Sequence, residues 1–513
     1  MEALLMDLPI AVLMGVIGAI VFTLIGVVSG TDETATIAPL TLVVILIGVP
    51  PAGVFTFFLA AAISKHMTHA IPTMLLGIPG DTLAVPILED AARMRALGLP
   101  HLALRKAVSG AVISAFIAVP AAVLFAWILS PFGDLITSFA PWIFLVAAAG
   151  IAYSSRAKLG GVVALVPFVA FILGLQAWTG SFDVSLSISY FLGIAIGPMI
   201  VDLVMVLVPQ NRAAMRRSEP SRVFLAPDVR PAAGGGGAAV PEADAGAGAG
   251  SGAAAPSASA GADASGSAPA SGNTAPASDS GAKPVGRTFP NPLRVLDRTQ
   301  ITATAATSVV SSATFVFSPV AVTVLMGEIV GARIKQGYQR LTSVITAKNG
   351  TTESTYIAET LIPLIAFGLP LSPVAAGPAA PLFNAPPVFE TDPEAGIINN
   401  VSTFMSTPQF LVYGLLAAVC ATLIAYPFAM RYAHAAAKFV VTRVSHEAII
   451  AAFVGLVVVV SLWEGGLMGL VVVTAVGLVG GMLIRVVKVH AGVLFMGYYV
   501  AVLSVPGILA ALG

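Results

Sequence analysis

Residues 29–50 read SGTDETATIAPLTLVVILIGVP, and 320 positions later residues 349–370 read NGTTESTYIAETLIPLIAFGLP. Eight positions are identical without a gap, including Glu33 and Glu353 and the Gly-x-Pro that closes each stretch. Each copy places a polar segment with an acid before an apolar run, then breaks that run with glycine and proline, which interrupt helices. Two related halves, each with an interrupted membrane helix, are typical of secondary transporters, whose binding sites lie at such interruptions.

The composition of the chain is that of an integral membrane protein. Of its 513 residues, 57% are hydrophobic and only 10% are charged, whereas a soluble domain carries roughly 25% charged residues. Lysine plus arginine equals aspartate plus glutamate at 25 each, so the charge balance gives no reason to expect a nucleic-acid partner. We expect the lipid bilayer to be the environment of the protein.

The apolar runs predict an all-α integral membrane protein with two inverted-topology repeats. Each half holds about seven apolar segments, judged against the roughly 20 residues that a spanning helix needs. An odd number of crossings in the first repeat inverts the second one relative to it. Two proline-rich runs, residues 70–88 and 374–388, are marginal as spans, so we expect interrupted or re-entrant helices there.

The sequence divides into three regions. An N-terminal transmembrane repeat occupies residues 1–212, a linker occupies 213–296, and the inverted C-terminal transmembrane repeat occupies 297–513. The linker is rich in glycine, alanine, serine and proline and cannot bury enough apolar surface to fold, so we predict that it is disordered. Basic residues such as Arg212 and Arg298 flank it, which places the linker in the cytoplasm and the protein in the cell membrane as a multi-pass protein.

The two polar segments supply candidate ligands for a coupling cation. Hydroxyl, carbonyl and carboxylate oxygens can coordinate Na⁺, and a carboxylate at membrane depth can instead take a proton. The alternative is helix capping, since Ser and Thr favour the N-cap and acids favour the first turn. Capping explains one such segment well but does not explain why both halves carry it. The candidate residues are Thr31, Asp32, Glu33, Thr34, Thr351, Thr352, Glu353 and Ser354.

A second break suggests where an anionic substrate binds. Residues 75–90 read LLGIPGDTLAVPILED, and backbone N–H groups freed at such a break suit a carboxylate. A simple turn between two spans is the alternative. The candidate substrate-binding residues here and in the second half are Gly77, Pro79, Gly80, Asp81, Thr82, Lys348, Asn349, Gly368, Pro370 and Ser372.

Three cationic or titratable side chains, Lys65, His66 and His69, precede this break. We expect them to face outward as interfacial polar residues. They make a poor metal site, because no carboxylate lies nearby in the sequence at ligand spacing.

Enzymatic motifs are missing from the sequence. It contains no phosphate-binding Walker loop, no paired catalytic carboxylates and no nucleophile elbow in a strand–turn–helix context. We therefore expect no enzymatic activity, no cofactor other than Na⁺ or H⁺ as coupling ion, and no ATP-driven transport.

The chain resembles the large permease subunit of the tripartite tricarboxylate transporters, the TctA family. LLGIPGDTLAVPILEDAARMRALG, residues 75–98, is similar to the family's Val-Pro-Gly-Glu break and the helix that follows it. ETLIPLIAFGLPLSPVAAGPAAPLF, residues 359–383, is similar to the family's Leu-Ile-Pro…Gly-Ile-Pro-Gly-Ser segment. These motifs are fairly specific in combination and weak singly.

The resemblance implies a secondary transporter that takes up small organic carboxylates, such as citrate, in response to a Na⁺ or H⁺ gradient. It also implies two partners: a small membrane subunit and an extracytoplasmic solute-binding protein that delivers the organic acid. A homo-oligomer is compatible with the sequence. The alternatives are a channel, a non-transporting scaffold subunit, or the same fold carrying a solute that is not a carboxylate.

Overall fold

The computed structural model describes residues 2–154, 158–182, 184, 186, 188–207, 289–315, 319–385, 388–389, 391–392, 397–444, 446–489 and 491–512. Most of the predicted linker, together with Arg212 just before it, lies outside the described residues. The linker's disorder, its cytoplasmic position and the domain boundaries therefore stay predictions.

The first half of the chain is a succession of helices. They are α1 (Glu2–Ile25), α2 (Glu33–Leu46), α3 (Pro51–Thr68), α4 (Leu88–Ala96), α5 (Pro100–Leu129), α6 (Gly133–Ser138), α7 (Ala140–Ser154), α8 (Leu159–Gly180) and α9 (Ile188–Leu207). Between α3 and α4 lie a π-helical turn (Pro72–Leu76) and a 3₁₀ turn (Thr82–Ile87). A further 3₁₀ turn (Ser130–Phe132) follows α5.

The second half is also helical. Its helices are α10 (Pro292–Val295), α11 (Arg298–Ser312), α12 (Pro319–Arg333), α13 (Gly337–Ala366), α14 (Pro373–Ala376), α15 (Ala380–Phe383), α16 (Val401–Phe404), α17 (Thr407–Arg443), α18 (His446–Met482), α19 (Ala491–Tyr499) and α20 (Val505–Leu512). Two π-helical turns, Leu483–Val487 and Val500–Ser504, flank α19. The strands β1 (Thr391–Asp392) and β2 (Ile397–Ile398) form a small antiparallel pair.

The predicted all-α membrane class is confirmed. Within the described residues, six helical stretches are long and apolar enough to cross a membrane: Asp7–Ile25, Pro51–Leu76, Pro100–Phe132, Leu159–Gly180, Thr407–Arg443 and Ala451–Val487. Shorter apolar helices, α2 and α9 among them, accompany these spans. Many large apolar side chains remain exposed on the outside of the helices, including Trp127 and Leu467, as expected for a surface that contacts lipid.

The first copy of the repeated sequence folds as predicted. Gly30 adopts φ +82° between α1 and α2, and Asp32 caps α2 by accepting from the Thr34 N–H at 2.9 Å. Gly48, at φ +84°, then follows the end of the helix, and Pro50 is the N-cap of α3. The polar segment, the apolar helix and the Gly-x-Pro break all lie where the sequence predicts them.

The second copy folds differently, and the predicted helix start at residues 349–354 is wrong. These residues lie in the middle of the continuous 30-residue helix α13, which begins at Gly337. Two of their three hydroxyl groups bond to carbonyls of the same helix: Thr352 Oγ1 donates to the Lys348 carbonyl at 3.1 Å and Ser354 Oγ to the Gly350 carbonyl at 3.0 Å. The Gly-x-Pro break is confirmed: α13 ends at Ala366, and Gly368 adopts φ +65°.

Helix α13 is polar in sequence and yet buried over most of its length. It packs against α5, α11 and α12, and its backbone approaches α5 closely. A Cβ added to Gly110 would lie 2.5 Å from the Thr346 carbonyl oxygen, and one added to Gly350 would lie 3.3 Å from the Gly110 carbonyl oxygen. A polar helix enclosed by other helices is tolerated in a membrane protein because protein, not lipid, surrounds it.

Candidate functional site

Lys65, His66 and His69 lie inside the protein, and the prediction that they face outward is wrong. Helix α3 is buried on every side, and each of these three residues is no more than 1% exposed. The prediction failed because it considered only the neighbouring sequence, whereas the partners of these residues come from distant segments.

Asp81 is the common partner of two of these side chains. Lys65 Nζ donates to Asp81 Oδ2 at 3.0 Å, and His69 Nδ1 lies 2.8 Å from the same oxygen. The other oxygen, Oδ1, accepts from the Leu83 and Ala84 N–H groups at 3.0 and 3.1 Å and caps the 3₁₀ turn. Asp81 thus holds the broken backbone segment against α3 with both of its carboxylate oxygens.

His66 contacts an acid from each copy of the repeated sequence. Its Nε2 lies 2.8 Å from Glu33 Oε1, a hydrogen-bond distance, and its Nδ1 lies 3.4 Å from Glu353 Oε2 without hydrogen-bond geometry. Lys65 Nζ is 3.8 Å from Glu33 Oε1, so Glu33 also faces the cation that Asp81 binds. We refer to Glu33, Lys65, His66, His69, Asp81 and Glu353 as the buried charge cluster.

Several polar atoms in and beside the buried charge cluster have no hydrogen-bond partner among the described residues. They are His66 Nδ1, His69 Nε2, both carboxylate oxygens of Glu353, the Tyr356 hydroxyl and Glu359 Oε1. The Tyr356 ring stands edge-on to His66, with 4.4 Å between ring centroids. Leaving buried polar atoms unpaired costs free energy, so such atoms point to bound water, an ion or a proton.

The charge balance of the cluster depends on protons. It contains three carboxyl groups, one ammonium group and two imidazoles. With every carboxyl ionised and both imidazoles neutral, the cluster would carry a net charge of −2, which is costly to bury. Two protons, bound by carboxyl or imidazole groups of the cluster, are the simplest way to remove that charge.

Backbone contacts fix the position of the cluster. The Gly30 N–H donates to the Gly80 carbonyl at 2.9 Å, and Ser29 Oγ donates to the Pro79 carbonyl at 2.6 Å. The turn before α2 is thereby tied to the break after α3. Gly80 permits this approach, because a Cβ there would lie 2.6 Å from the His69 carbonyl oxygen.

A metal ion does not fit this cluster well. One ligand atom each from Glu33, His69 and Asp81 lies within 4.8 Å of the others, an arrangement that resembles a metal site. However, the Lys65 ammonium already occupies the Asp81 oxygen that would face the ion, at 3.0 Å. Two cations in contact would repel each other strongly at this depth.

Comparison with known protein families finds one match, in the first half of the chain. A family model described as "Tripartite tricarboxylate transporter TctA family" matches residues 12–221. The N-terminal half matches the TctA family. The match includes residues 75–98 and confirms the resemblance read from that stretch of the sequence. No curated protein and no solved structure matches the chain.

Within the TctA-matched region, the predicted coupling residues serve different roles. Glu33 belongs to the buried charge cluster, whereas the neighbouring Asp32 and Thr31 bond to backbone groups. Asp32 caps α2, and Thr31 Oγ1 donates to the Val28 carbonyl at 2.9 Å. Thr34 is buried and faces Gly377, where an added Cβ would lie 3.3 Å from its hydroxyl oxygen.

The second-half coupling candidates lie outside the TctA match, and they spread around α13. Glu353 meets His66, but Thr352 Oγ1 pairs with Thr323 of α12 at 3.0 Å. Ser354 Oγ pairs with Ser311 of α11 at 2.6 Å. Thr351 Oγ1 is buried without a hydrogen-bond partner among the described residues. The eight predicted coupling residues therefore do not converge on one point, and only the two glutamates share a contact residue.

The TctA-matched break contains the predicted substrate-binding residues Gly77, Pro79, Gly80, Asp81 and Thr82. Gly77 adopts φ +75° and ends the π-helical turn, which confirms a glycine break there. Several N–H groups of the break already have acceptors in the protein: the Gly80 N–H donates to Thr73 Oγ1 at 3.2 Å, and Asp81 accepts from two others. The protein's own Asp81 carboxylate therefore stands where a substrate carboxylate was expected.

Lys348 and Asn349 connect α13 to the TctA-matched half. Lys348 Nζ donates to Asp90 Oδ2 at 2.6 Å and to the Pro86 carbonyl at 3.0 Å. Asn349 Nδ2 donates to the Ala107 carbonyl at 2.9 Å. Both residues therefore bind protein groups of the first half in this structure, and Lys348 is engaged by a carboxylate.

The second-half break, with Gly368, Pro370 and Ser372, is held by Glu359 and Asn400. Ser372 Oγ donates to the Glu359 carbonyl at 2.7 Å, and Glu359 Oε2 accepts from the Val374 N–H at 3.3 Å. Asn400 Nδ2 donates to the Gly368 carbonyl at 2.8 Å. As at Asp81, a carboxylate of the protein takes an N–H group that was expected to face the substrate.

Sequence reasoning missed Glu359 and Tyr356, and it misjudged Lys65, His66 and His69. A usable signal was present for the last three, since ionisable residues inside a long apolar helix usually have a function. Glu359 and Tyr356 follow Glu353 at spacings of six and three on α13. Glu353 was expected in a polar segment before an apolar helix, so the helix that it shares with Tyr356 and Glu359 was not apparent.

Proposed function

We propose that this protein is the permease of a secondary active transporter that takes up small organic carboxylates, of the dicarboxylate and tricarboxylate class. A cation gradient drives uptake by alternating access. The TctA match supports a transport role, and the buried charge cluster supports coupling to a cation. A small membrane subunit and an extracytoplasmic solute-binding protein are the proposed partners, and the cell membrane is the proposed location.

The observation that carries this proposal is the burial of three carboxyl groups, two imidazoles and one ammonium among membrane helices. Ionisable groups at this depth are costly and are kept mainly where they serve transport. Glu33, Lys65, His66, His69 and Asp81 come from the first half, whereas Glu353 comes from α13 of the second. A relative movement of the halves would therefore change the contacts of the charged groups.

We assign the coupling cation to Glu33 and Glu353, with a proton favoured over Na⁺. The Lys65 ammonium lies near Glu33 and would repel a Na⁺ ion bound to that carboxylate. A proton is less affected, because it is held covalently by one carboxylate oxygen. The substrate is proposed to bind between the two backbone breaks, at residues 77–82 and 368–372. There it would compete for N–H groups that Asp81 and Glu359 now hold, and Lys348 would exchange Asp90 for a substrate carboxylate.

The test is uptake of labelled citrate, malate, succinate and lactate into membrane vesicles, with imposed Na⁺ or H⁺ gradients. The first assay uses this chain alone, and a second adds the membrane subunit and the solute-binding protein. Saturable accumulation that requires a gradient supports the proposal and identifies the ion. Flux that rises linearly with concentration would indicate a channel. The absence of uptake in both assays would indicate a scaffold subunit.

A further inference from the structure

We infer that His66 carries the coupling proton between Glu353 and Glu33, and that the 3.4 Å separation between His66 and Glu353 is the point at which transfer is interrupted. This inference rests on the proposed function and specifies how the cation moves through it. It assigns a residue outside the predicted site, His66, as the connection between two acids that were each predicted alone.

The geometry supports a relay because one contact is made and the next is nearly made. Glu33 Oε1 and His66 Nε2 are at a hydrogen-bond distance, 2.8 Å, whereas His66 Nδ1 and Glu353 Oε2 are 3.4 Å apart without a hydrogen bond. His66 is 1% exposed and Glu353 is fully buried. Because His66 Nδ1 and both Glu353 oxygens lack other partners among the described residues, a small approach would join them.

The transfer conserves protons and charge. A proton on Glu353 Oε2 passes to His66 Nδ1, while the proton on Nε2 passes to Glu33 Oε1. Glu353 becomes a carboxylate, Glu33 becomes a neutral acid, and the imidazole returns to a neutral form with its proton on the other nitrogen. A ring tautomer change then resets the relay. Imidazole suits this role because its two nitrogens can accept and donate at once.

Charged and titratable groups from every packed segment surround His66. Asp32 and Glu33 come from the start of α2, Lys65 from α3 and His69 from its C-cap, Asp81 from the break, and Tyr356 and Glu359 from α13. Lys65 and His69 are held by Asp81 at 3.0 and 2.8 Å. Asp81 therefore engages Lys65 and His69, while His66 faces Glu33 and Glu353.

The interruption couples proton movement to conformation. Helix α3 belongs to the first half and α13 to the second, so the His66–Glu353 separation depends on how the halves pack. A transporter avoids leak if its coupling proton can pass only in some conformations. The 3.4 Å separation of His66 Nδ1 and Glu353 Oε2, without a hydrogen bond, meets that requirement, because proton transfer needs a formed hydrogen bond.

The experiment compares His66→Gln and Glu353→Gln with two matched controls, His434→Gln and Glu328→Gln, which make the same chemical changes at exposed side chains. The assembled transporter is placed in vesicles containing a pH-sensitive dye, and labelled citrate, or whichever acid of the panel the unmodified protein accumulates, is the probe. In the two relay variants, accumulation driven by a pH gradient and the accompanying acidification should each fall at least tenfold. Any exchange of the labelled acid across the membrane that remains in these variants should no longer depend on pH. The controls should stay within twofold of the unmodified protein.

A second measurement does not depend on transport. Infrared difference spectra after a pH jump, on purified protein that elutes as a single species, should contain a carboxyl band that Glu353→Gln removes and Glu328→Gln keeps. An unchanged band, or relay variants that keep pH-driven accumulation, would overturn the inference. The inference would also be overturned if uptake by the unmodified protein required Na⁺ and caused no acidification. That result would still support carboxylate transport. Only the absence of any gradient-driven uptake by the unmodified complex would count against the proposed function.

Discussion

Glu33 and Glu353 lie at the two nitrogen atoms of the same imidazole, although 320 positions separate them in the chain. Glu33 Oε1 is 2.8 Å from His66 Nε2, and Glu353 Oε2 is 3.4 Å from His66 Nδ1. The two acids occupy equivalent positions in the repeated sequence. The repeat therefore brings its two copies to one residue, even though the first copy begins a helix and the second lies inside one.

Replacing Lys65 by Met should destabilise the protein strongly. Asp81 and Glu33 would lose a fully buried cation that lies 3.0 and 3.8 Å from their oxygens. Removing one partner of a buried ion pair costs about 3–5 kcal/mol, because it leaves an uncompensated charge. The free energy of unfolding can be measured by titration with SDS in mixed micelles, with tryptophan fluorescence as the signal.

The control for this change is Lys335→Met, which removes an exposed lysine and should alter the free energy of unfolding by no more than about 0.5 kcal/mol. The double variant with Lys65→Met and Asp81→Asn should lose less stability than the two single variants together, because the contacting residues are coupled. Additive losses would show that the Lys65–Asp81 contact is not formed in the membrane.

Two neighbouring acids on α4 allow a direct comparison of buried and exposed ion pairs. Asp90 pairs with Lys348 at 2.6 Å, and both side chains are 9% exposed, whereas Glu89 pairs with Arg93 and is 77% exposed. Asp90→Asn should cost about 3 kcal/mol, and Glu89→Gln should cost less than about 1 kcal/mol. Equal effects in the same SDS titration would mean that α13 does not dock on α4 through Lys348.

Much of the site could be predicted wherever a local backbone rule applies. The breaks at Gly48, Gly77 and Gly368 were predicted from glycine and proline, and all three glycines adopt positive φ. Asp81 lies in the second predicted break, and it caps the 3₁₀ turn that follows. Such features depend on a few consecutive residues, so the sequence contains the information needed to predict them.

The buried charge cluster could not be assembled in the same way. Whether Lys65 and His66 face lipid, water or protein depends on α2, α13 and the break, which pack on α3 from distant parts of the chain. The mean polarity of α13 also obscured its burial, because a polar helix is buried only when other helices enclose it. The second-half helix start was misplaced because glycine inside α13 reflects close packing with α5 and not a chain break.

Gly80→Ala should disturb the site without adding charge or polarity. The new Cβ would lie 2.6 Å from both the carbonyl oxygen and the Cβ of His69, so the break must move away from α3. Overpacking of this kind costs about 1–3 kcal/mol, and gradient-driven uptake should fall with it. Gly455→Ala is the control, since its Cβ would meet no atom within 4 Å on an exposed helix surface. There alanine should stabilise the helix by about 0.5–1 kcal/mol.

Removing the hydroxyl group should have opposite effects on the free energy of unfolding at two buried tyrosines. The Tyr426 hydroxyl hydrogen-bonds Ser109 Oγ at 2.9 Å, so Tyr426→Phe should cost about 1 kcal/mol. The Tyr356 hydroxyl is buried beside His66 without a hydrogen-bond partner among the described residues. Tyr356→Phe should therefore leave the free energy of unfolding unchanged or raise it by up to about 1 kcal/mol, because an unsatisfied polar atom is removed. A loss of stability comparable to that of Tyr426→Phe would show instead that the Tyr356 hydroxyl binds a water or an ion in the folded protein, and the charge cluster would then extend one helical turn further along α13.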